Sequence, residues 1–189
     1  MPMNLLMQLN GVLLIAVLAL PLICLVILYN GHVSRRNAAD YAFSSIDVQL
    51  KKRWDLIPGL VETVKGYAKH EKELFVRVTE ARKQAQAAQG DERFRREGEV
   101  SQGLPQIMAL AEGYPELKAD RQFLSLQRNL TEVESQISAA RRAYNAAITE
   151  YNDGVQMFPS SIVAGVFGFK KREWFQIESV ERKVTNVSV

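Results

Sequence analysis

Polar and apolar positions divide this chain into two unlike parts. No Asp, Glu, Lys or Arg occurs through Gly31, and Gly11 to Tyr29 reads GVLLIAVLALPLICLVILY, nineteen residues whose only polar side-chain group is the Tyr29 hydroxyl. As an α-helix this run is roughly 29 Å long at about 1.5 Å per residue, which matches a hydrocarbon core of about 30 Å. A buried core helix would need protein on every side, which a small domain seldom supplies. The pattern therefore predicts a transmembrane helix over residues 11–30, marked by Gly11, Leu14, Val17, Pro21, Cys24, Leu28 and Tyr29, after a short tail at residues 1–10.

Beyond the span the pattern turns helical and amphipathic. Phe43, Ile46, Leu50 and Ile57 recur at helical steps among polar residues, which predicts a first helix ending before Pro58. A second is expected from Pro58 to Ala88, with a seam of Leu60, Val64, Tyr67, Glu71, Leu74, Val78, Ala81, Ala85 and Ala88 in the alternating steps of helices that pack antiparallel. Residues 89–103 are charged and carry three glycines, so a loop or frayed helix is expected there, with a short third helix from Pro105 to Glu112 and a turn at Gly113–Pro115. The fourth helix, from Leu117–Asp120 to before Pro159, is the most regular. Phe123, Leu130, Ile137, Tyr144 and Tyr151 repeat every seven residues, and Leu126, Val133, Ala140 and Ala147 follow three positions later. Such an aromatic stripe is a packing seam far more often than a ligand site. The fold class expected is all-α: an N-terminal transmembrane helix, an antiparallel four-helix-type bundle over residues 31–158, and an aromatic and basic segment with a tail over residues 159–189.

Charge decides what kind of anchor this is. A cleaved secretory signal has a basic start, a short apolar run and a small-residue cleavage site; MPMNLLMQLN has no Lys or Arg and the run is long. Retention is expected. A lipoprotein signal would want small residues before Cys24 and an end to the apolar run, but Ile23 precedes it and Leu25–Leu28 continue it. Arg35 and Arg36 follow the span and no basic residue precedes it, so the positive-inside rule puts the bundle in the cytoplasm and the N-terminus outside.

Across the whole chain, 24 basic and 21 acidic residues leave a formal charge of +3, and they are interspersed. That patterning fits solvated helix faces and argues against nucleic acid as a partner. Catalytic patterns are missing too. His70-Glu71-Lys72-Glu73-Leu74 has Leu where the second His of a zinc-protease helix must stand. With His32 and His70 the only histidines and Cys24 in the span, no zinc site is expected. GVFGFKK lacks the spacing of a phosphate loop, and no G-x-S-x-G occurs. No catalysis and no cofactor are expected. Two features bear instead on non-catalytic function, the first of them read chiefly as an ion pair with Arg or Lys on a facing helix. Glu71 on the seam must be paired, protonated or reach solvent. Phe158 to Phe175, FPSSIVAGVFGFKKREWF, is too short to span and either folds back over the bundle or docks on a membrane or partner. With antiparallel neighbours the fourth helix returns to the bilayer, so Phe167, Phe169, Lys170, Lys171, Arg172, Trp174 and Phe175 are candidate membrane-surface contacts.

Three stretches carry a family resemblance: IDVQLKKRWDLIPGLVETVKGYAKHE from Ile46 to Glu71, AEGYPELKA from Ala111 to Ala119, and ARRAYNAAITEYNDGVQMFPSSIVAGVFGF from Ala140 to Phe169. Together they resemble the LemA family of bacterial membrane proteins over roughly residues 29–175. The resemblance implies a short extracytoplasmic N-terminus, one membrane helix and a cytoplasmic antiparallel helical bundle at the inner membrane. It implies no established activity and supplies no catalytic residues. Relatives have been linked to membrane organisation, including magnetosome formation, and to envelope stress. Some carry a lipoprotein-type N-terminus, from which this anchor departs at Ile23.

The expectation is a membrane-tethered scaffold or adaptor, with the lipid bilayer and a protein as partners. Its candidate partner face is Asp47, Gln49, Lys52, Arg53 and Asp55, with Lys65 and His70 on the next helix. The alternative is self-assembly into lateral homo-oligomers that organise membrane.

Overall fold

A computed structural model describes the backbone of residues 2–175 and side-chain exposure from Val17 onward, except at residues 90, 91 and 94. The side-chain environments of Gly11 and Leu14 of the expected span, and the tail at residues 176–189, lie outside what it describes. Among the described residues there are six helices and no strand: α1 (Pro2–Tyr67), α2 (Lys72–Ala87), α3 (Gly90–Gly113), α4 (Pro115–Ala119), α5 (Arg121–Gln156) and α6 (Ser160–Phe167). The all-α class is as expected. The described residues divide into two compact units: residues 45–140 with Phe175, and residues 2–44 with 141–174.

In the first of these, α1 from Ser45, then α2, α3 and the first part of α5 form an up-down-up-down bundle. Lys65 stands over the Phe75 ring at 5.9 Å and Arg82 reaches Trp54, so α2 runs antiparallel to α1. Tyr67 meets Asp120 and Arg53 meets Glu134, so α5 does too. The core between them includes Ile57, Leu60, Val64, Phe75, Val78, Val100, Ile107, Phe123 and Leu130. α3 approaches α2 closely: a Cβ added at Gly103 would lie 2.6 Å from Val78 Cγ2. Asp120 starts α5 as a cap, its carboxylate accepting the Phe123 backbone N–H at 2.8 Å and the Tyr67 hydroxyl at 3.0 Å. The Phe123 N–H, ahead of the Tyr67 hydroxyl, is the largest of the influences that hold its pKa below the ordinary aspartate value.

Three helix boundaries differ from expectation. α1 does not stop at Pro58 but continues to Tyr67. Pro58 has no N–H for the carbonyl of Trp54, one turn earlier; Arg82 Nε donates to that oxygen at 2.7 Å instead. The expected second helix is broken at residues 68–71, where Glu71 is the half-buried residue preceding α2 and not a seam position. The seam conceals this turn because Ala68 and Phe75, the buried residues on either side, are one heptad apart. Residues 89–103 are not a loop, and Pro105 lies inside α3. Ion pairs Glu92–Arg95, Glu92–Arg96 and Arg96–Glu99 at helical spacing support this stretch. Its buried stripe is Glu97, Val100, Leu104, Ile107 and Ala111.

That stripe contains a charge. Glu97 and Arg53 are both fully buried and form an ion pair, and Arg53 Nη1 also donates to Glu134 Oε1 at 2.7 Å and to Ser101 Oγ at 2.8 Å. Burial pushes the Glu97 carboxyl above its ordinary range, against the lowering pull of Arg53. Removing one partner of such a pair strands the other, at a cost of about 3–5 kcal/mol, whereas apolar replacement of both is often neutral. Arg53→Ala is therefore expected to lower the denaturation midpoint of the detergent-solubilised chain severely. The double variant Arg53→Met, Glu97→Leu recovers most of the loss, and chemical denaturation of the set measures both effects.

Candidate membrane-surface site

The second unit begins with the apolar run. Leu18, Leu20, Leu22, Ile23 and Ile27 are between 58% and 73% exposed, and α1 is the one helix among the described residues long and apolar enough to cross a membrane. Side chains of this kind, uncovered by protein, find their solvent in hydrocarbon. Residues 17–29, the exposed Cys24 among them, are the described part of the expected span.

Immediately after this run, residues 160–172 are clasped to α1. α5 runs antiparallel to α1 here: Phe43 meets Tyr144 edge-on at 5.7 Å, and Arg35 lies so close along Gly154 that a Cβ there would be 3.2 Å from Arg35 Nη1. Residues 157–159 turn the chain and α6 follows. The buried His32 donates from Nε2 to the Ser160 carbonyl at 3.0 Å. Ser160 Oγ donates back to the carbonyls of Gly154 and Met157 at 2.7 and 2.8 Å, closing the turn. Val163 and Ala164 are the buried side of α6. Gly168 ends it at φ 72°, a left-handed conformation that favours glycine, with Phe169 N–H donating to Ala164 O at 2.9 Å. The turn delivers Phe169 onto α1. It stacks on His32 with ring centres 4.9 Å apart and meets Tyr29 edge-on at 5.8 Å, while Phe167 packs on Tyr29 at 4.8 Å.

The segment after α6 is fastened by side chains of α5. Tyr151 Oη donates to Lys170 O at 3.0 Å. Asn152, also buried, brackets residue 172: its Nδ2 donates to Arg172 O and its Oδ1 accepts Arg172 N–H, both at 2.9 Å. Arg172 reaches Asp40 at 2.5 Å, and Trp174 Nε1 donates to Thr149 Oγ1 at 3.0 Å.

The segment thus folds back on its own unit and still leaves an apolar surface open. Phe158 is 82% exposed and Val166 73%, with Met157, Ile162 and Phe167 also exposed. Of the seven candidate contacts, Phe167, Lys170, Lys171 and Trp174 are exposed, and Phe169 is half-buried against α1. Phe175 does not belong to that surface, because it is buried, and Arg172 is neutralised by Asp40. The candidate partner face also changes. Lys52, Asp55, Lys65 and His70 are exposed, Gln49 is half-buried, and Asp47 pairs with Arg93 at 2.9 Å. Arg53 is excluded from any outer face by its burial. Sequence reasoning missed His32 and Asn152 as fasteners and Glu97 as an interior charge. Each stands on a buried stripe of its helix, which marks a polar residue that must be bonded.

The fold and site together define an all-helical, membrane-associated protein whose C-terminal helix is clasped to the exit of its own apolar span. The chain belongs to the LemA family, whose model matches residues 42–189. That match begins at Ala42, so the anchor rests on the chain's own exposed apolar helix. Over 175 residues it is 24% identical to Magnetosome protein MamQ 2 of Paramagnetospirillum magneticum, covering 78% of this chain and 64% of that protein. It is 23% identical over 174 residues to Magnetosome protein MamQ of Magnetospirillum gryphiswaldense, with the same shares, and thus spans 64% of the length of these relatives. It is 24% identical over 155 residues to Protein LemA of Metamycoplasma hominis, covering 81% of this chain and 71% of that protein.

Asn152→Ala removes both bonds to residue 172. Two hydrogen bonds of about 0.5–1.5 kcal/mol each correspond to roughly tenfold or more in the open population. Limited trypsin digestion of the full chain is expected to cut after Lys170 or Lys171 about tenfold faster in the variant; an unchanged rate would show that the bracket does not hold the segment.

Proposed function

We propose that this chain is a membrane-anchored scaffold or adaptor: α1 holds it in the bacterial inner membrane with its N-terminal end outside, and the bundle faces the cytoplasm and recruits a protein partner. The observation that carries this reading is the continuity of exposed apolar surface from the span onto the turn at residues 157–159 and α6. Such continuity supports a unit seated on the bilayer rather than tethered loosely above it. Its cytoplasmic side is supported by charge. Arg35 and Arg36 follow the span in sequence, and folding adds Lys170, Lys171 and Arg172 to the same end.

Partner binding is assigned to the outer face of α1 in the bundle, where Val48, Lys52, Asp55, Glu62 and Lys65 are exposed at helical spacing. The reading includes no catalysis: the interior charges Arg53 and Glu97 serve each other. The likeness to proteins named for the magnetosome supports work at a membrane. A second reading, lateral self-assembly, is favoured by the exposed Phe158 and Ile162, which a neighbouring copy would cover as well as lipid does.

A photo-crosslinking residue in place of Asp55, in the full chain in native membranes, is expected to give one heterologous adduct. A ladder of self-adducts would replace the adaptor with the assembly, and no adduct would overturn both. In the Cys24→Ala background, Lys52→Cys should react with an impermeant maleimide only after the membrane is opened; labelling in intact cells would reverse the orientation.

A further inference from the structure

Of the seven basic residues in the unit that holds the clasp, five stand at the clasp itself: Arg35, Arg36, Lys170, Lys171 and Arg172. Of these five, only Arg172 has a carboxylate partner among the described residues: Asp40. Among the described residues the other four form no ion pair, and all four are exposed. Interspersed charge is the rule elsewhere on this chain, so an uncompensated group of four beside hydrocarbon is an exception that needs a counter-charge.

We propose that Arg35, Arg36, Lys170 and Lys171 form a site for the headgroups of anionic phospholipids in the leaflet where α1 leaves the bilayer. The proposal rests on the membrane-anchored reading and adds the chemistry of the lipid. The two arginines lie six and seven residues beyond Tyr29, roughly 9 and 10 Å along the helix, and the polar zone of a leaflet is roughly 5–8 Å deep. Their long side chains reach back into that zone. Arg36 is held there, its guanidinium 5.7 Å from the centre of the Phe169 ring, which in turn stacks on His32. The two lysines arrive on backbone already fixed by Tyr151 and Asn152, so the charges are assembled before any lipid is bound.

The adjoining surface selects the ligand. Phe158, Ile162, Val166 and Phe167 are apolar and exposed beside the basic group. An acidic peptide would satisfy the charges and leave that surface wet; a neutral lipid would do the reverse. An anionic phospholipid supplies both the acyl chain and the phosphate.

The test uses the full chain reconstituted in phosphatidylcholine vesicles with trace spin-labelled phosphatidylglycerol or spin-labelled phosphatidylcholine, comparing the motionally restricted fraction of each by electron spin resonance. The wild-type chain is expected to restrict phosphatidylglycerol several-fold more, with roughly fivefold per charge as the upper limit. High salt should bring the ratio towards one. The variant Arg36→Gln, Lys170→Gln, Lys171→Gln should do the same, whereas Lys170→Arg, Lys171→Arg keeps the preference and Lys51→Gln, Lys52→Gln on the bundle leaves it unchanged. Equal restriction of the two lipids by the wild-type chain, or an undiminished preference in the triple glutamine variant, overturns the proposal. Loss of all restricted lipid signal would instead overturn the membrane anchor itself.

Discussion

An apolar side chain that its own protein leaves uncovered must find another apolar solvent, and residues 17–29 of this chain are of that kind. At about 25 cal/mol per Å², leaving a run of Leu, Ile and Val in water would cost more than a domain of this size has to spare. The helix backbone satisfies its own hydrogen bonds, so the segment enters hydrocarbon without an unpaired polar group. Everything else in the second unit is arranged around where that segment ends. Tyr29, amphipathic and at the boundary, receives Phe167 and Phe169; His32, one turn on, receives Ser160; Arg35 and Arg36 begin the charged part of the chain.

The clasp is built from local chemistry of ordinary kinds. Gly168 allows the reversal that a side chain would resist, Ser160 closes the turn on Gly154 and Met157, and Asn152 uses both ends of its amide on one residue of the returning segment. Together these fix aromatic and basic side chains beside the end of the span without closing over the apolar surface of α6. A surface kept open in that position, with Phe158 at its tip, is suited to lipid or to a second copy, and the two readings differ in what covers it.

The sequence displayed its regular features and concealed those that depend on partners far along the chain. The heptad of Phe123, Leu130 and Ile137 needed no tertiary information, and α5 starts and stops where its cap and Pro159 require. Pro58 misled because the carbonyl it orphans is taken by Arg82, which lies in another helix. The turn at residues 68–71 was invisible because the seam keeps its phase across it. Residues 89–103 resembled a loop because the residue that buries against α1 is Glu97, whose compatibility with a core depends on Arg53. At the site, the aromatic and basic composition of residues 158–175 was legible, but its fasteners His32 and Asn152 were not, since a polar residue on a helix reveals its partner only when the helix is packed.

Paramagnetic accessibility of spin labels placed singly along the full chain in bilayers tests the central claim most directly. Labels at residues 18–29 are expected to favour oxygen over a water-soluble nickel reagent, with the balance reversing between Tyr29 and Arg35. The same lipid signature is expected at residues 158, 162 and 166, which are distant in sequence and share that boundary only through the clasp. Oxygen-favouring labels in the span, combined with nickel-favouring labels at all three α6-side positions, would contradict that claim.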